Sequence, residues 1–141
     1  MVEQKCAAKV DASLRNSVDT LRDYYQVYIG EAEPTDEINE DSFLEYGLSF
    51  DYVPEGTFTD QIEAYFRYQI SWGGPSTEYR FYVTNPYAAG TPYRIEYWYL
   101  DWFDGAGSAL YGEDLELLKD IFELFKDVGV TEAAYTKALD Y

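Results

Sequence analysis

The feature that most constrains this chain is a long segment without positive charge. No Lys or Arg occurs between Arg22 and Arg67, in a 141-residue chain whose formal net charge is -17. Twelve acids lie in that gap, many of them three to six residues apart and interleaved with Tyr and Phe: Asp23, Glu31, Glu33, Asp36, Glu37, Glu40, Asp41, Glu45, Asp51, Glu55, Asp60 and Glu63. Repulsion among these carboxylates opposes folding, so a large aromatic core must offset it.

The composition predicts a globular domain. Apolar residues make up 47% of the chain and aromatic residues 19%, too many for a disordered acidic tail. We expect one domain over residues 1–141, with a flexible N-terminus over residues 1–10. The N-terminus lacks the apolar core of a secretory signal, no apolar run approaches a bilayer span, and Cys6 is the only cysteine. These features favour a cytoplasmic protein with no membrane partner.

Hydrophobic periodicity predicts helices at both ends of the chain. Residues 11–29 carry apolar side chains at spacings of three and four, with Asp11 or Ser13 as the N-cap and Gly30 after the last turn. A second helix follows residue 112 and ends before Gly129, and Thr131 is expected to cap a short final helix.

Between these helices, four segments have the composition or the alternation of strands: residues 44–53, 64–72, 78–84 and 93–103. The loops that join them are too short for helical crossovers, which indicates an antiparallel meander. Residues 104–108 are read as a break. The predicted fold is therefore α+β, a four-stranded antiparallel sheet flanked by an N-terminal helix and one or two C-terminal helices.

The sequence offers little catalytic chemistry. It contains no His, no phosphate-binding glycine loop and no calcium loop of the EF-hand type. Asp101 and Asp104, beside Trp98 and Trp102, are the candidates for a carboxylate-based hydrolase, but nothing fixes the separation of the two carboxyl groups. We expect a protein that is not an enzyme and that requires no cofactor or metal.

The acids themselves are the candidate active feature. Carboxylates on a strand or helix can be spaced comparably to the phosphates of a nucleic acid, and Lys and Arg grip both. The sequence predicts a mimic that occupies a basic nucleic-acid-binding site of a host protein, through Asp36, Glu37, Glu40, Asp41, Glu45, Asp51, Glu55, Asp60 and Glu63, with Asp101, Trp102 and Asp104 as further contacts. Direct binding of nucleic acid is disfavoured by the negative charge. The acids of the second helix are read as a solvated face.

Two alternatives remain open from the residues. The protein could instead be an acidic interaction module or allosteric inhibitor that docks through the aromatic segment at residues 98–103. It could also form a homodimer, because an edge strand of an aromatic sheet can pair with a second copy.

Two segments carry a resemblance to known proteins. Residues 71–75 read Ser-Trp-Gly-Gly-Pro, and residues 96–106 read Glu-Tyr-Trp-Tyr-Leu-Asp-Trp-Phe-Asp-Gly-Ala. The block from about residue 64 to 125 resembles small proteins of phages and other mobile elements, and Asp101 and Asp104 match its motif. In general character the chain is similar to anti-CRISPR and anti-restriction inhibitors, which are small, acidic and free of catalytic motifs. That resemblance implies an inhibitor of a bacterial defence complex acting in the host cell.

Overall fold

An antiparallel sheet organises the protein, as seen in a computed structural model that describes residues 5–86, 90–101 and 104–139. Within these residues five strands follow one another across the sheet in chain order: β1 (Ser49–Val53), β2 (Tyr65–Ser71), β3 (Ser76–Tyr82), β4 (Arg94–Asp101) and β5 (Asp104–Ala109). Each strand pairs antiparallel with the next. The predicted α+β class and the meander are confirmed, whereas the predicted number of strands, four, is wrong.

Helices cover one face of this sheet. They are α1 (Cys6–Tyr28), α2 (Ser42–Tyr46), α3 (Gly112–Asp127) and α4 (Val130–Leu139). α1 lies against β4 and β5, α4 packs against β1, and α2 packs against α1. Phe122 of α3 contacts Phe66 and Phe81 of the central strands. We call the opposite side of the sheet, which bears Arg67 and Arg80, the open face.

The core lies between the sheet and the helices and is largely aromatic. Strand side chains alternate between two faces, so that alternate residues of each strand point to the helices. Phe66, Tyr79, Phe81 and Tyr97 are almost completely buried on that face. Such burial contributes about 2–3 kcal/mol for each large apolar side chain, which offsets the repulsion expected from the charge.

The segment before β1 forms a helix instead of the predicted strand. Leu44, Tyr46 and Leu48 alternate in sequence like strand residues, but residues 42–46 form α2 and Leu44 and Leu48 are exposed. Phe43 is the buried residue instead, packed against rings of α1 and α3. Consequently Glu45 lies on α2 and does not share a strand face with Asp51.

β5 is the strand that was predicted as a break. Its sequence, Asp-Gly-Ala-Gly-Ser-Ala, has low strand propensity because glycine loses much backbone entropy on folding. Large side chains of β4 lie over the glycines. A Cβ placed on Gly107 would stand 2.4 Å from Cε2 of Trp98, and one on Gly105 would stand 2.7 Å from Cδ2 of Leu100. The glycines thus make room for Trp98 and Leu100.

The predicted helix ends were partly wrong. α1 begins at Cys6, so Asp11 and Ser13 lie inside the helix and do not cap it, and residues 6–10 are helical. Thr131 does not cap the final helix either: α4 begins at Val130, and Thr131 is buried in its first turn. The stops at Gly30 and Gly129 agree with the structure, where both glycines have positive φ, a conformation that favours glycine.

Candidate functional site

Residues 31–45, which we call the acidic segment, are fixed to the fold by one buried side chain. The segment leaves the end of α1 and turns into α2, where Phe43 is 1% exposed. The Phe43 ring packs at centroid distances of 5.3 Å from Tyr25, 5.2 Å from Tyr28 and 6.2 Å from Phe125. This aromatic contact anchors the end of the acidic segment on α1 and α3.

Short polar side chains order the rest of the acidic segment. The Oγ1 of Thr35 accepts a hydrogen bond from the backbone N–H of Glu37 at 3.2 Å, and the Oδ1 of Asn39 accepts one from the N–H of Asp41 at 2.8 Å. The N–H of Asn39 in turn donates to the Oγ of Ser42 at 3.0 Å. Such side-chain-to-backbone hydrogen bonds take the place of the backbone–backbone hydrogen bonds that a helix or strand would provide. They hold the backbone that bears the carboxylates.

The carboxylates of the acidic segment form no ion pairs with the described Lys and Arg side chains. All are exposed, and across residues 5–86, 90–101 and 104–139 no ion pair reaches Glu31, Glu33, Asp36, Glu37, Glu40, Asp41 or Glu45. Like charges at this density repel one another, and a cationic partner would relieve that repulsion. Five of the predicted contact residues are therefore exposed and unpaired on this one segment: Asp36, Glu37, Glu40, Asp41 and Glu45.

A groove between α1 and α3 adjoins the acidic segment. Its volume is about 900 Å³, and four acids line it: Glu31, and Glu113, Glu116 and Asp120 of α3. Arg22 is the one cation among its described lining residues, and it is bonded to Asp114. Tyr25 also lines the groove, and its pKa is raised by burial and further by the carboxylates of Asp120 and Glu31. The groove is therefore predominantly negative.

Glu113, Glu116 and Asp120 of α3 are exposed, as the predicted solvated face requires, and Glu116 pairs with Lys119 at 3.8 Å; the sequence interpretation did not place these acids beside a groove. The signal was present, because Glu113, Glu116 and Asp120 follow spacings of three and four and so share one face of a helix. Other acids of α1 and α3 behave differently. Asp114 is held by Arg15 at 2.9 Å and by Arg22 at 3.0 Å, and these two bonds lower its pKa.

Two of the predicted contact residues are neutralised on the open face. Asp51 accepts two hydrogen bonds from Arg67, from Nε at 3.0 Å and from Nη2 at 2.7 Å. Glu63 is bonded to the guanidinium of Arg94, which lowers the pKa of the carboxyl group. The β1–β2 register sets Asp51 directly opposite Arg67. Neither acid adds net charge to the acidic segment.

The open face also contains a cavity of about 570 Å³ beneath the β1–β2 loop, lined by acidic, basic and apolar side chains. Arg80 lies between Tyr65 and Trp98, with its Cζ 4.7 Å and 4.1 Å from the two ring centroids. Its Nε donates to Glu78 at 2.8 Å, and Glu78 is 2% exposed. Asp60 lines the cavity and Glu55 lies nearby in the same exposed loop. Trp98, predicted as part of an aromatic docking strand, is largely packed here.

The predicted residues Asp101 and Asp104 pair with each other where β4 ends and β5 begins. Asp104 accepts a hydrogen bond at 2.8 Å from the backbone N–H of Cys6, and this bond is the main cause of its lowered pKa. Asp104 thus holds the start of α1, whereas the acidic segment follows its other end. With 23 residues, α1 is roughly 35 Å long, so Asp101 and Asp104 are remote from the acidic segment. Trp102 lies outside the described residues.

Comparisons with known proteins leave the site to be judged on its own geometry. No protein-family model matches the chain, and no curated protein or solved structure shows significant similarity to it.

Across the described residues, no cluster of acid and thiol side chains has the arrangement of a metal site. None of the helices in this part of the chain combines the length and apolarity needed to cross a membrane.

Proposed function

We propose that the protein is a non-enzymatic inhibitor that blocks the basic nucleic-acid-binding site of a bacterial defence complex, in the manner of an anti-CRISPR or anti-restriction protein. Its binding surface is the acidic segment together with the negative groove between α1 and α3. The observation that carries this proposal is the ordered array of unpaired carboxylates in residues 31–45. The partner is a cationic host protein of the cytoplasm.

The physical argument rests on order and charge together. A disordered acidic tail would lose conformational entropy on binding, whereas a segment already bonded through Thr35 and Asn39 and anchored by Phe43 loses less. Unpaired carboxylates on such a segment can replace phosphates in contacts with Lys and Arg. The neutralised acids Asp51 and Glu63 contribute little, which restricts the mimic to the helical side of the fold.

The first experiment identifies and challenges the partner. The full-length protein is used to capture proteins from a bacterial lysate at low and at high salt, and the captured protein is purified. We expect the affinity for the partner to fall steeply as salt is added, because salt screens attraction between exposed charges. The Debye screening length is about 8–10 Å near physiological ionic strength and shorter at higher salt. In a gel-shift assay, the protein should displace the partner's DNA or RNA in proportion to its concentration. Simultaneous binding of nucleic acid and inhibitor would refute competition.

Matched variants separate the acidic segment from overall charge. One variant neutralises Asp36 and Glu37 to the corresponding amides; the other neutralises two exposed acids outside the predicted contact residues, Asp127 and Glu132. Both variants have the same net charge. The first should bind the partner about tenfold more weakly, since exposed ion pairs contribute up to about 1 kcal/mol each. The second should change affinity far less. Equal losses would show that only overall charge matters.

A further inference from the structure

β5 forms one edge of the sheet, and its pairing shows which of its backbone groups are free. The N–H of Leu110 donates to the carbonyl of Ile95 at 2.9 Å, and the β4–β5 register continues from that pair without a shift. In an antiparallel ladder, bonded and non-bonded pairs alternate. The N–H and C=O groups of Gly105, Gly107 and Ala109 therefore point away from β4.

These three residues are exposed and lack the usual protection of a sheet edge. No Pro, Lys or bulge interrupts β5, and its side chains are too small to shield the backbone. The carboxylate of Asp104 bonds the N–H of Gly105. For the part of the chain that the structure describes, no partner bonds the N–H of Gly107 or of Ala109. A helix packs against each edge strand, α1 against β5 and α4 against β1, so docking at β5 depends on the outward N–H groups of Gly107 and Ala109.

The charge around β5 indicates what can pair with it. Asp101 flanks one end of the strand, and exposed Asp11 lines a cleft beside Ser108 and Ala109 at the other. Neither Asp101 nor Asp11 has an ion-pair partner among the described residues, and Arg15, which lines the same cleft as Asp11, is already held in two other ion pairs. A second copy would bring two chains of charge -17 together. A segment with Lys or Arg would instead gain attraction at both ends.

We infer that β5 is a docking edge for an extended, Lys- or Arg-bearing segment of the partner, which adds to the sheet as a sixth strand. The inference rests on the proposed function, since it supplies a second contact with the same cationic partner. Backbone bonds to Gly107 and Ala109 give the added strand its affinity, as in other cases of strand addition. Asp11 and Asp101 favour positive side chains at its ends.

The test uses defined peptides and the full-length protein. The first probe is acetyl-Lys-Val-Lys-Val-Lys-Val-amide, and the second is the same peptide N-methylated at its backbone amides, which has the same charge but cannot pair as a strand. We expect the first peptide to bind at least about tenfold more tightly, because two or more hydrogen bonds of about fivefold each are lost in the second. Its binding should slow amide hydrogen exchange at Gly107 and Ala109, measured by NMR.

Protein variants provide the matched control. Ala109→Pro removes one outward N–H at a position where an edge strand tolerates proline, whereas Ala109→Val keeps that N–H. The first should weaken peptide binding about fivefold and the second by less than about twofold. Melting curves check that both variants fold. If Ala109→Pro is unfolded, the N-methylated peptide and the exchange measurement decide the question.

Three results would overturn the inference: equal binding of the two peptides, no binding of the first peptide at millimolar concentration, or unchanged exchange at Gly107 and Ala109. Sedimentation showing a dimer that Ala109→Pro dissociates would assign the edge to a second copy and overturn it as well. The proposed function fails separately. The proposed function is refuted if neutralising the acidic segment leaves partner binding unchanged. The docking edge alone is refuted if only the peptide and Ala109 experiments fail.

Discussion

Replacing Gly107 by Ala should destabilise the protein by about 2–3 kcal/mol. The new Cβ would lie 2.4, 2.7 and 2.8 Å from Cε2, Cζ2 and Nε1 of Trp98, well inside the roughly 3.5–4.0 Å of a normal contact. Gly107 has no positive φ, so the backbone itself accepts alanine. The cost comes from moving the Trp98 ring by about 1 Å.

That ring has little room to move. Arg80 stacks on Trp98 at 4.1 Å and is itself bonded to buried Glu78, and Nε1 of Trp98 donates to Glu96 at 3.0 Å. Overpacking costs about 1–3 kcal/mol, and a weakened bond to a charged acceptor costs about 1 kcal/mol more. Alanine recovers about 0.4–1 kcal/mol by restricting the unfolded chain. The balance is about 1–3.6 kcal/mol, and the expected value of about 2–3 kcal/mol lies within this range because the ring is held on several sides.

Urea unfolding followed by far-UV circular dichroism measures this difference, and Gly105→Ala is the control. At Gly105 the new Cβ would meet Cδ2 of Leu100 at 2.7 Å, the far end of a flexible side chain, so we expect a cost below about 1 kcal/mol. Adding Trp98→Ala to Gly107→Ala should remove most of the penalty of the glycine substitution. Equal costs at the two glycines, or no coupling to Trp98, would refute the reasoning.

Three further predictions concern the interface of α1 with the rest of the fold. The pKa of Asp114 is lowered by Arg15 and Arg22, so Asp114→Asn should lose about 1–2 kcal/mol at neutral pH. In urea unfolding across pH, the difference from wild type should begin to shrink as the pH falls below about 4, the ordinary pKa of Asp, and should disappear only below the lowered pKa of the folded state. Ser17→Ala leaves the buried hydroxyl of Tyr79 without its 2.8 Å partner and should cost about 1–3 kcal/mol in the same assay, whereas Ser17→Thr should cost less. Burial raises the pKa of Tyr79 well above its usual 10, so stability should fall as the pH rises beyond about 10; a flat profile from pH 8 to 11 would contradict this.

The sequence predicted those helices whose apolar residues recur at helical spacing, because such spacing directly indicates which face is buried. Leu118, Ile121, Phe122 and Phe125 of α3 are all buried, as their spacing indicates. α2 could not be predicted from the sequence, because this helix depends on the packing of Phe43 between α1 and α3. The local alternation of Leu44 with its neighbours favours a strand and conflicts with that tertiary contact.

β5 and the charge balance of the open face depend on partners far apart in sequence. In the sequence Gly105 and Gly107 indicate a turn, and only the pairing with β4 shows that Leu100 and Trp98 lie over them. Asp51 looks like an unpaired acid until the β1–β2 register sets it opposite Arg67. Single-sequence patterns report local periodicity and not register, so they predicted the acidic segment but not which other acids are neutralised.

The bond from Cys6 to Asp104 makes the first turn of α1 accessible to a simple chemical measurement. Cys6 is the chain's only cysteine, its side chain is 2% exposed, and burial raises the pKa of its thiol. Because alkylating reagents attack the exposed thiolate, they can modify Cys6 only when that turn opens. The rate of alkylation therefore reports how often the N-terminal end of α1 separates from Asp104 at the start of β5.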